Sequence, residues 1–373
     1  MVHSGITRGD KPPLKANYFL SLLCAVSCLE VESRSLAPLA FAGGFGGGNG
    51  GSKNKTVKRK HPKGGMSEVS TSSPSTKSAE AKDSGPQLDK WGLPFATVDD
   101  LFPPMPPGTE FIPIDASKKY SLNDIQNRLK DHIDLELDRY FDGDGTEKDS
   151  KGREPMQLRL LHQSPPVLAI DNFFTLEECA SIKDTVDGAY QVNSGTFPGA
   201  LSTRTSTSWF CNYSEVPTLL AKANHLLNIP LQTMEEPQIV RYRKGQQFSW
   251  HYDEIPAPQL TNGGQRLATI LVYLNDIHSG GGTVFRDLES QGSPLTMQPK
   301  RGSALLFFPA SLDGRPDDRT LHKGEIMDGD DEKWIVQMWI HERPYQAALP
   351  PGNSHEAARN IMEETSRYLG YTF

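Results

Sequence analysis

Residues 333–341 read KWIVQMWIH, a short apolar run that is rich in β-branched and aromatic side chains. Such a composition predicts a buried β-strand. Side chains alternate between the two faces of a strand, so one face would carry Lys333, Ile335, Gln337, Trp339 and His341. A lysine that points into a barrel is costly to bury unless an anion pairs with it. The run therefore predicts an inward-facing lysine that binds an acidic ligand, with a solvated edge lysine as the alternative.

Other short apolar runs precede this one, separated by clusters of Gly, Pro, Asn or Asp. They are VLAIDNFF (167–174), PQIVRY (237–242), QRLATILVYLN (265–275), GTVF (282–285) and SALLFF (303–308). One early helix is expected, because Thr175 can cap it and Glu178 follows three residues later. Many short strands after one helix predict a mainly β fold with flanking helices, either a barrel or a jelly roll.

Three polar side chains in this region have the composition of a metal site. His251 and Asp253 are two residues apart in SWHYDE, so a strand would direct both to one face. His322 in RTLHKG is the natural third ligand. Two histidines and one carboxylate on one face of an octahedral ion leave three positions open, as in non-haem iron(II) oxygenases. The same ligands could hold zinc in a hydrolase, but a hydrolase offers no role for Lys333.

Several segments resemble, in order and spacing, the catalytic domain of the prolyl 4-hydroxylases. They are FFTLEEC (173–179), YRKGQQFSWHYD (242–253), QRLATILVYLNDIHSGGGTVF (265–285), MQPKRGSALLFF (297–308), LHKGEI (321–326) and the run at 333–341. The resemblance covers about residues 165–345, which we predict to be the catalytic domain. It implies a double-stranded β-helix, the jelly-roll or cupin-like fold. It also implies an iron(II)- and 2-oxoglutarate-dependent dioxygenase of the procollagen-proline 4-dioxygenase type.

The resemblance also implies roles for individual residues. The iron-binding and catalytic positions of the family fall on His251, Asp253, His322 and Lys333. Among these, Lys333 matches the lysine that binds the C5 carboxylate of 2-oxoglutarate. Tyr242 and Thr283 match positions whose hydroxyl groups help to hold this co-substrate. Positions that contact the substrate fall on Arg266, Trp339, His341 and Phe248.

The implied reaction takes place at Fe(II), consumes 2-oxoglutarate and O2, releases succinate and CO2, and hydroxylates the substrate. The resemblance further implies ascorbate (vitamin C) as a cofactor. The implied partner is a Pro-containing protein or peptide. The alternatives are the same chemistry on another protein side chain or on a small molecule. A non-catalytic barrel is disfavoured because all three metal ligands are present.

Three features depart from the family pattern. Phe248 stands where related enzymes often have a Tyr that contacts the peptide, and Trp250 stands where Pro is common. The sequence HKGEIM (322–327) replaces the usual H-x-G-C-P. None of these changes alters a metal ligand or Lys333, so they bear on the substrate rather than on the chemistry.

The N-terminal part of the chain differs in composition. Residues 1–41 contain basic residues before the apolar run YFLSLLCAVSCL (18–29), which has the length of a signal-peptide core and is short for a transmembrane span. They predict a signal peptide for the secretory pathway or endoplasmic reticulum, with a two-part plastid presequence as the alternative. Residues 42–88 have almost no large apolar side chain, which predicts a disordered low-complexity linker.

The regions next to the predicted catalytic domain are expected to contain helices. Residues 89–164 are predicted to be a Pro-rich and helical extension that packs on that domain. Ser121 would cap an amphipathic helix that runs to about Tyr140. The tail at 346–373 is predicted to be helical from Ser354 and would either cap the barrel or form an interface.

Charge and cysteine content restrict the partners further. The formal net charge of -7 argues against a nucleic-acid partner, and the basic run at 53–63 is better explained as solvated linker. Cys179 and Cys211 fall in the predicted catalytic domain, and two cysteines do not define a disulfide framework. Their bridging and the oligomeric state are therefore left open by the sequence.

Overall fold

A computed structural model of the chain describes residues 102–187, 190–193, 204–347 and 354–371. The predicted signal segment and the predicted linker lie outside these residues. Within the described ranges, no helix combines the length and the apolar character that crossing a bilayer requires.

The strands of the described residues form two antiparallel sheets. They are β1 (Ile112–Pro113), β2 (Gln157–Ser164), β3 (Pro166–Asp171), β4 (Tyr190–Asn193), β5 (Thr207–Phe210), β6 (Gln238–Tyr242), β7 (Phe248–His251), β8 (Arg266–Tyr273), β9 (Thr283–Ser290), β10 (Ser293–Met297), β11 (Ala304–Phe307), β12 (His322–Gly324) and β13 (Lys333–His341). The large sheet has the order β1-β2-β3-β11-β8-β13-β6-β5-β4, and the small sheet has the order β10-β9-β12-β7. This architecture confirms the predicted mainly β, jelly-roll fold.

The central strands of the large sheet have two different buried faces. On β8, Ala268, Ile270 and Val272 belong to a hydrophobic cluster that includes the helices, whereas Leu271 and Tyr273 belong to a second cluster with the small sheet. Alternation of side chains along the strand produces this division. One face of the large sheet is therefore covered by helices, and the other encloses the interior of the jelly roll.

The helices of the described residues are α1 (Leu122–Leu129), α2 (Leu137–Tyr140), α3 (Leu176–Asp184), α4 (Pro217–Leu227) and α5 (His355–Leu369). Thr175 and Glu178 form the expected capping box at the start of α3. The Ser354 hydroxyl accepts the backbone N–H of Ala357 and begins α5 at the predicted residue. Helix α5 packs against α4 and buries Met362 in the cluster behind the large sheet.

The helix predicted from Ser121 to about Tyr140 is wrong in its length. Ser121 caps α1 as predicted, but α1 ends at Leu129 and a turn precedes α2. The apolar stripe that suggested one long helix is nevertheless buried; its members are Ile125, Leu129, Ile133 and Leu137. The pattern therefore identified the buried side chains but not the break between them.

Side-chain hydrogen bonds hold the break between α1 and α2. The Gln126 side-chain amide donates to the Leu135 carbonyl, and its oxygen accepts the backbone N–H of Leu137 at 3.1 Å. Acidic residues lie between the two helices, ahead of the start of α2, where the positive end of the helix dipole favours them; they are Asp131, Asp134 and Glu136. Both effects favour a break between α1 and α2 over one continuous helix.

The predicted N-terminal extension supplies two strands of the large sheet. Strand β2 pairs with β3 from Gln157 opposite Asp171 onward, and β1 pairs with the end of β2. Leu158 and Leu160 of β2 are buried in the helix-side cluster. Residues before 165 are thus part of the hydrophobic core.

Both cysteines of the catalytic region are free. Cys179 and Cys211 are buried and unbridged. Burial raises the pKa of the Cys179 thiol to about 11 and that of Cys211 to about 12. Both thiols are therefore protonated near neutral pH and serve as small apolar side chains.

Replacement of Leu158 tests whether β2 belongs to the cooperative core. Leu158→Ala is expected to lower the free energy of unfolding by about 2–5 kcal/mol, because it leaves a cavity behind a fully buried side chain. Arg159→Ala on the exposed side of the same strand removes a surface ion pair and is expected to cost less than about 1 kcal/mol. Urea denaturation of both variants measures the difference. Equal, small effects would mean that β2 unfolds independently of the core.

Candidate active site

The small sheet brings the predicted metal ligands together. His251 is the last residue of β7, and His322 is the first residue of β12, directly opposite it in the antiparallel pair. The expectation that a strand carries both His251 and Asp253 is wrong, since Asp253 lies two residues beyond the end of β7. Its carboxylate still reaches the two imidazoles. Within the described residues, these three side chains form the only group of His, Cys, Asp and Glu with the geometry of a metal site.

Backbone contacts orient both imidazoles toward the carboxylate. Nδ1 of His251 donates to the Ser249 carbonyl at 2.7 Å, and Nδ1 of His322 donates to the Thr320 carbonyl at 3.0 Å. A carbonyl can only accept, so Nδ1 of each ring carries a proton, and Nε2 is the nitrogen directed to bind a metal. These Nε2 atoms lie 3.7 and 3.8 Å from the Asp253 carboxylate oxygens. These separations are too long for hydrogen bonds and leave space for a shared ion.

The protonation states of His251 and Asp253 also suit a metal. Burial, together with the neighbouring His322, lowers the pKa of His251 to about 3, which keeps its imidazole neutral. Burial alone would raise the pKa of Asp253, but the two histidines, Arg266 and a hydrogen bond from Thr269 outweigh it and lower the pKa. The Thr269 hydroxyl donates to Asp253 Oδ2 at 2.8 Å. Two imidazole nitrogens and one carboxylate oxygen fit an iron(II) ion with open positions.

Lys333 is the second element of the site. It is the first residue of β13, its side chain is only 2% exposed, and its Nζ donates to the Gly281 carbonyl at 2.6 Å. The rings of Tyr242 and Tyr273 flank the ammonium at 5.2 and 5.6 Å. Burial lowers the pKa of Lys333 to about 7, and the charge of Glu325 only partly offsets this. The carbonyl and the two aromatic rings that surround the ammonium carry no net charge, so an anionic ligand would supply the negative charge that they lack.

One cavity joins the metal ligands to Lys333. Its empty volume, including the space at its open mouth, is about 390 Å³. It is lined by Tyr242, Phe248, His251, Asp253, Thr269, Leu271, Thr283, Phe307, His322, Gly324, Lys333, Ile335 and Gln337. All the residues predicted to bind the metal and the co-substrate therefore line this cavity.

The hydroxyl groups predicted to bind the co-substrate lie at the lysine end. Tyr242 stands directly opposite Lys333 in the pairing of β6 with β13. Thr283 accepts a hydrogen bond from the Tyr273 hydroxyl at 2.8 Å. Tyr273 was not expected from the sequence, because it is one aromatic residue in an apolar strand. It fixes the position of Thr283.

Arg266, Trp339 and His341 lie together at the other end of β13. The Arg266 guanidinium lies 3.9 Å from the centre of the Trp339 ring. Glu235 binds Arg266 through two hydrogen bonds, at 2.7 and 2.9 Å, and accepts one from His341 Nε2 at 2.9 Å. Burial would raise the pKa of Glu235, but Arg266 and His341 lower it to about 2, so its charge is permanent near neutral pH. The sequence did not single out Glu235, since nothing local distinguishes it from its neighbour Glu236.

Phe248 is the fourth predicted substrate contact, and it also supports the metal site. Its ring stacks on the His251 imidazole with ring centres 3.5 Å apart. The Arg204 guanidinium covers the Phe248 ring, with its central carbon 4.9 Å from the ring centre. The apolar ring therefore restricts the orientation of one metal ligand and forms part of the cavity wall.

Comparisons with known proteins find similar sequences among the 2OG-Fe(II) oxygenases and the prolyl 4-hydroxylases. Residues 237–341 match the family model of the 2OG-Fe(II) oxygenase superfamily. Prolyl 4-hydroxylase 1 of Arabidopsis thaliana is 31% identical over 201 residues, which cover 48% of this chain and 70% of that protein. Prolyl 4-hydroxylase 2 of the same plant is 27% identical over 229 residues, which cover 52% of this chain and 73% of that protein. The viral collagen prolyl hydroxylase from Paramecium Bursaria Chlorella virus-1, solved with 2OG, is 24% identical with a TM-score of 0.37, covering 47% of this chain and 94% of that chain.

Replacement of Thr269 tests how the metal ligand is oriented. Thr269→Val removes the hydrogen bond to Asp253 and keeps the shape of the side chain, so we expect a roughly 10–100-fold loss of metal affinity. Thr283→Val is the matched control, because its hydroxyl contacts Tyr273 and none of the three ligands. Calorimetric titration with Mn(II) or Fe(II) measures both affinities. Equal affinities for the two variants would contradict the role of Thr269.

The lowered pKa of Lys333 predicts a pH dependence of dicarboxylate binding. Only the protonated lysine attracts a carboxylate, and in the ligand-free cavity its pKa is about 7. Affinity for 2-oxoglutarate should therefore level off below pH 7 and fall about tenfold per pH unit above it. Calorimetry of the Mn(II)-loaded protein between pH 6 and 9 measures this slope. Lys333→Arg keeps its charge throughout this range, so the slope should disappear in that variant; a flat profile in the unaltered protein would contradict the prediction.

Proposed function

The chain belongs to the prolyl 4-hydroxylase family of iron(II)- and 2-oxoglutarate-dependent dioxygenases, and we propose that it hydroxylates prolyl residues in a protein or peptide. The observation that carries this proposal is the position of a His-Asp-His triad and a buried lysine in one cavity. A dioxygenase of this type needs both, because its co-substrate has a carboxylate at the end remote from the metal. A zinc hydrolase would need the triad alone.

Iron(II), when bound by His251, Asp253 and His322, supplies the oxidative chemistry in which 2-oxoglutarate and O2 become succinate, CO2 and the hydroxyl group of the product. The residues of the chain bind and orient the participants. Lys333 neutralises the C5 carboxylate, with Tyr242 and Thr283 beside it. The burial of all three ligands excludes water from the reacting atoms.

The far end of β13 supports a peptide substrate. Arg266 and Trp339 stack on each other, and Arg266 Nη1 also donates to the Asp253 carbonyl at 3.3 Å. The proposed substrate contacts are therefore connected directly to a metal ligand. Phe248 also lines the cavity. Because its ring cannot donate a hydrogen bond, the cavity wall is more apolar there than it would be with a tyrosine.

Ascorbate and the cellular compartment belong to the same proposal. Ascorbate would keep the metal in its iron(II) state, and the support for it is the family resemblance. The apolar run at 18–29 supports targeting to the secretory pathway or endoplasmic reticulum, with a two-part plastid presequence as the alternative.

Succinate formation from 2-oxoglutarate tests the proposed activity. The iron-loaded protein is expected to turn over faster with poly-L-proline or a Pro-rich peptide, and mass spectrometry should show a gain of one oxygen on a proline. His251→Ala removes a metal ligand and should abolish both signals.

Two other results would change the conclusion. Slow turnover that no peptide stimulates would keep the dioxygenase chemistry and exclude the tested peptides as substrates. Failure of the protein to bind both iron(II) and 2-oxoglutarate would overturn the proposed function entirely.

A further inference from the structure

Gln337 is a buried amide that the metal and co-substrate sites do not use. It lies on β13 and is 6% exposed, and its side chain lines the active-site cavity. Its Nε2 has no hydrogen-bond acceptor among the described residues. A buried donor without a partner is costly, so an acceptor from water or from a bound ligand is required.

The neighbours of Gln337 do not supply that acceptor. Leu271 stands opposite it on β8, and Ile335 precedes it on the same face of β13. Gln238 stands opposite it on β6, and its Oε1 is likewise unpaired, although this residue does not line the cavity. The next side chain on the same face, Trp339, also has an indole N–H without an acceptor in the part of the chain that the structure describes. The inward face of β13 therefore presents two unpaired donors in succession.

The position of Gln337 separates it from the carboxylate end of the co-substrate. Four residues of strand place its Cα about 13 Å from that of Lys333. The Lys333 ammonium is directed to Gly281. Gln337 therefore lies between the lysine end of the cavity and the Arg266–Trp339 pair, where the substrate is proposed to enter.

A proline-rich peptide has the chemistry that this face needs. Proline has no backbone N–H, so its backbone offers only carbonyl acceptors. In the extended polyproline conformation these carbonyls form no internal hydrogen bonds. The unpaired N–H donors of Gln337 and Trp339 are complementary to the carbonyls of such a chain.

We propose that Gln337 is a substrate-specificity residue, whose Nε2–H donates to a backbone carbonyl of the peptide at or next to the target proline. This inference rests on the proposed function and names a contact within it. Gln337 positions the peptide and is not expected to take part in the chemistry. Its loss should therefore raise the KM for the peptide and leave 2-oxoglutarate binding unchanged.

The test compares Gln337→Leu with Gln238→Leu, a matched amide-to-apolar change at the opposite position on β6. With poly-L-proline and a Pro-rich peptide, Gln337→Leu is expected to raise the peptide KM about tenfold. The kcat at saturating peptide and the affinity for 2-oxoglutarate, measured by calorimetry, should stay within about twofold of the unaltered protein. Gln238→Leu should leave the peptide KM unchanged.

A modified peptide provides a second measurement, which would not change if Gln337 had only a structural role. A thioamide at the target proline replaces the carbonyl oxygen with a weaker acceptor. It should weaken binding to the unaltered protein but have little further effect on Gln337→Leu, as expected for two partners of one hydrogen bond.

Three results would overturn the inference. An unchanged peptide KM in Gln337→Leu, with normal turnover by the unaltered protein, would refute this contact alone. Equal losses of thermal stability in both variants, without a change in peptide KM, would show that the two glutamines bind only each other. Absence of peptide hydroxylation by the unaltered protein, with iron(II) and 2-oxoglutarate bound, would refute this inference and exclude the tested peptides as substrates, but it would leave the dioxygenase chemistry standing.

Discussion

The burial of the Lys333 ammonium is the constraint on which the site depends. A cation that is 2% exposed, and that among the described residues has only a neutral carbonyl as its hydrogen-bond acceptor, is unfavourable until an anion binds. The same burial lowers its pKa to about 7. The stability of the fold offsets the free-energy cost of this burial, because β13 is a central strand that pairs with β6 on one side and β8 on the other. An acidic ligand would relieve this cost, which favours the binding of a dicarboxylate at this end of the cavity.

Each of the two sheets supplies different residues of the site. The small sheet pairs β7 with β12 and so places His251 opposite His322. The large sheet supplies Lys333 and Thr269 from neighbouring strands, and Thr269 orients Asp253. Helices cover the other face of the large sheet, so its strands are packed on both sides. Packing of this kind restricts the side chains that hold the site, and accurate orientation of the reacting groups favours the reaction.

The substrate end of the cavity is organised by buried polar contacts rather than by the metal. Glu235 fixes Arg266 and His341, and Arg266 in turn donates to the Asp253 carbonyl. A disturbance at this end would therefore reach a metal ligand through one hydrogen bond. Phe248 connects the two parts in a second way, because it stacks on His251 and lines the cavity. Its lack of a hydroxyl leaves recognition of the peptide to donors elsewhere on the wall.

The sequence by itself predicted the strands β3, β6, β8, β9, β11 and β13, the candidate metal ligands and the inward lysine, because alternation and short motifs are local properties that the strand period converts into faces. It also determined the caps at Thr175 and Ser354, which depend on side chains within one helical turn. Only the tertiary structure decided that α1 ends at Leu129, that the cysteines are unbridged, and that β2 joins the core. It alone revealed Glu235, Thr269 and the unpaired amide of Gln337. These roles arise from contacts between residues far apart in the chain, which no local pattern specifies.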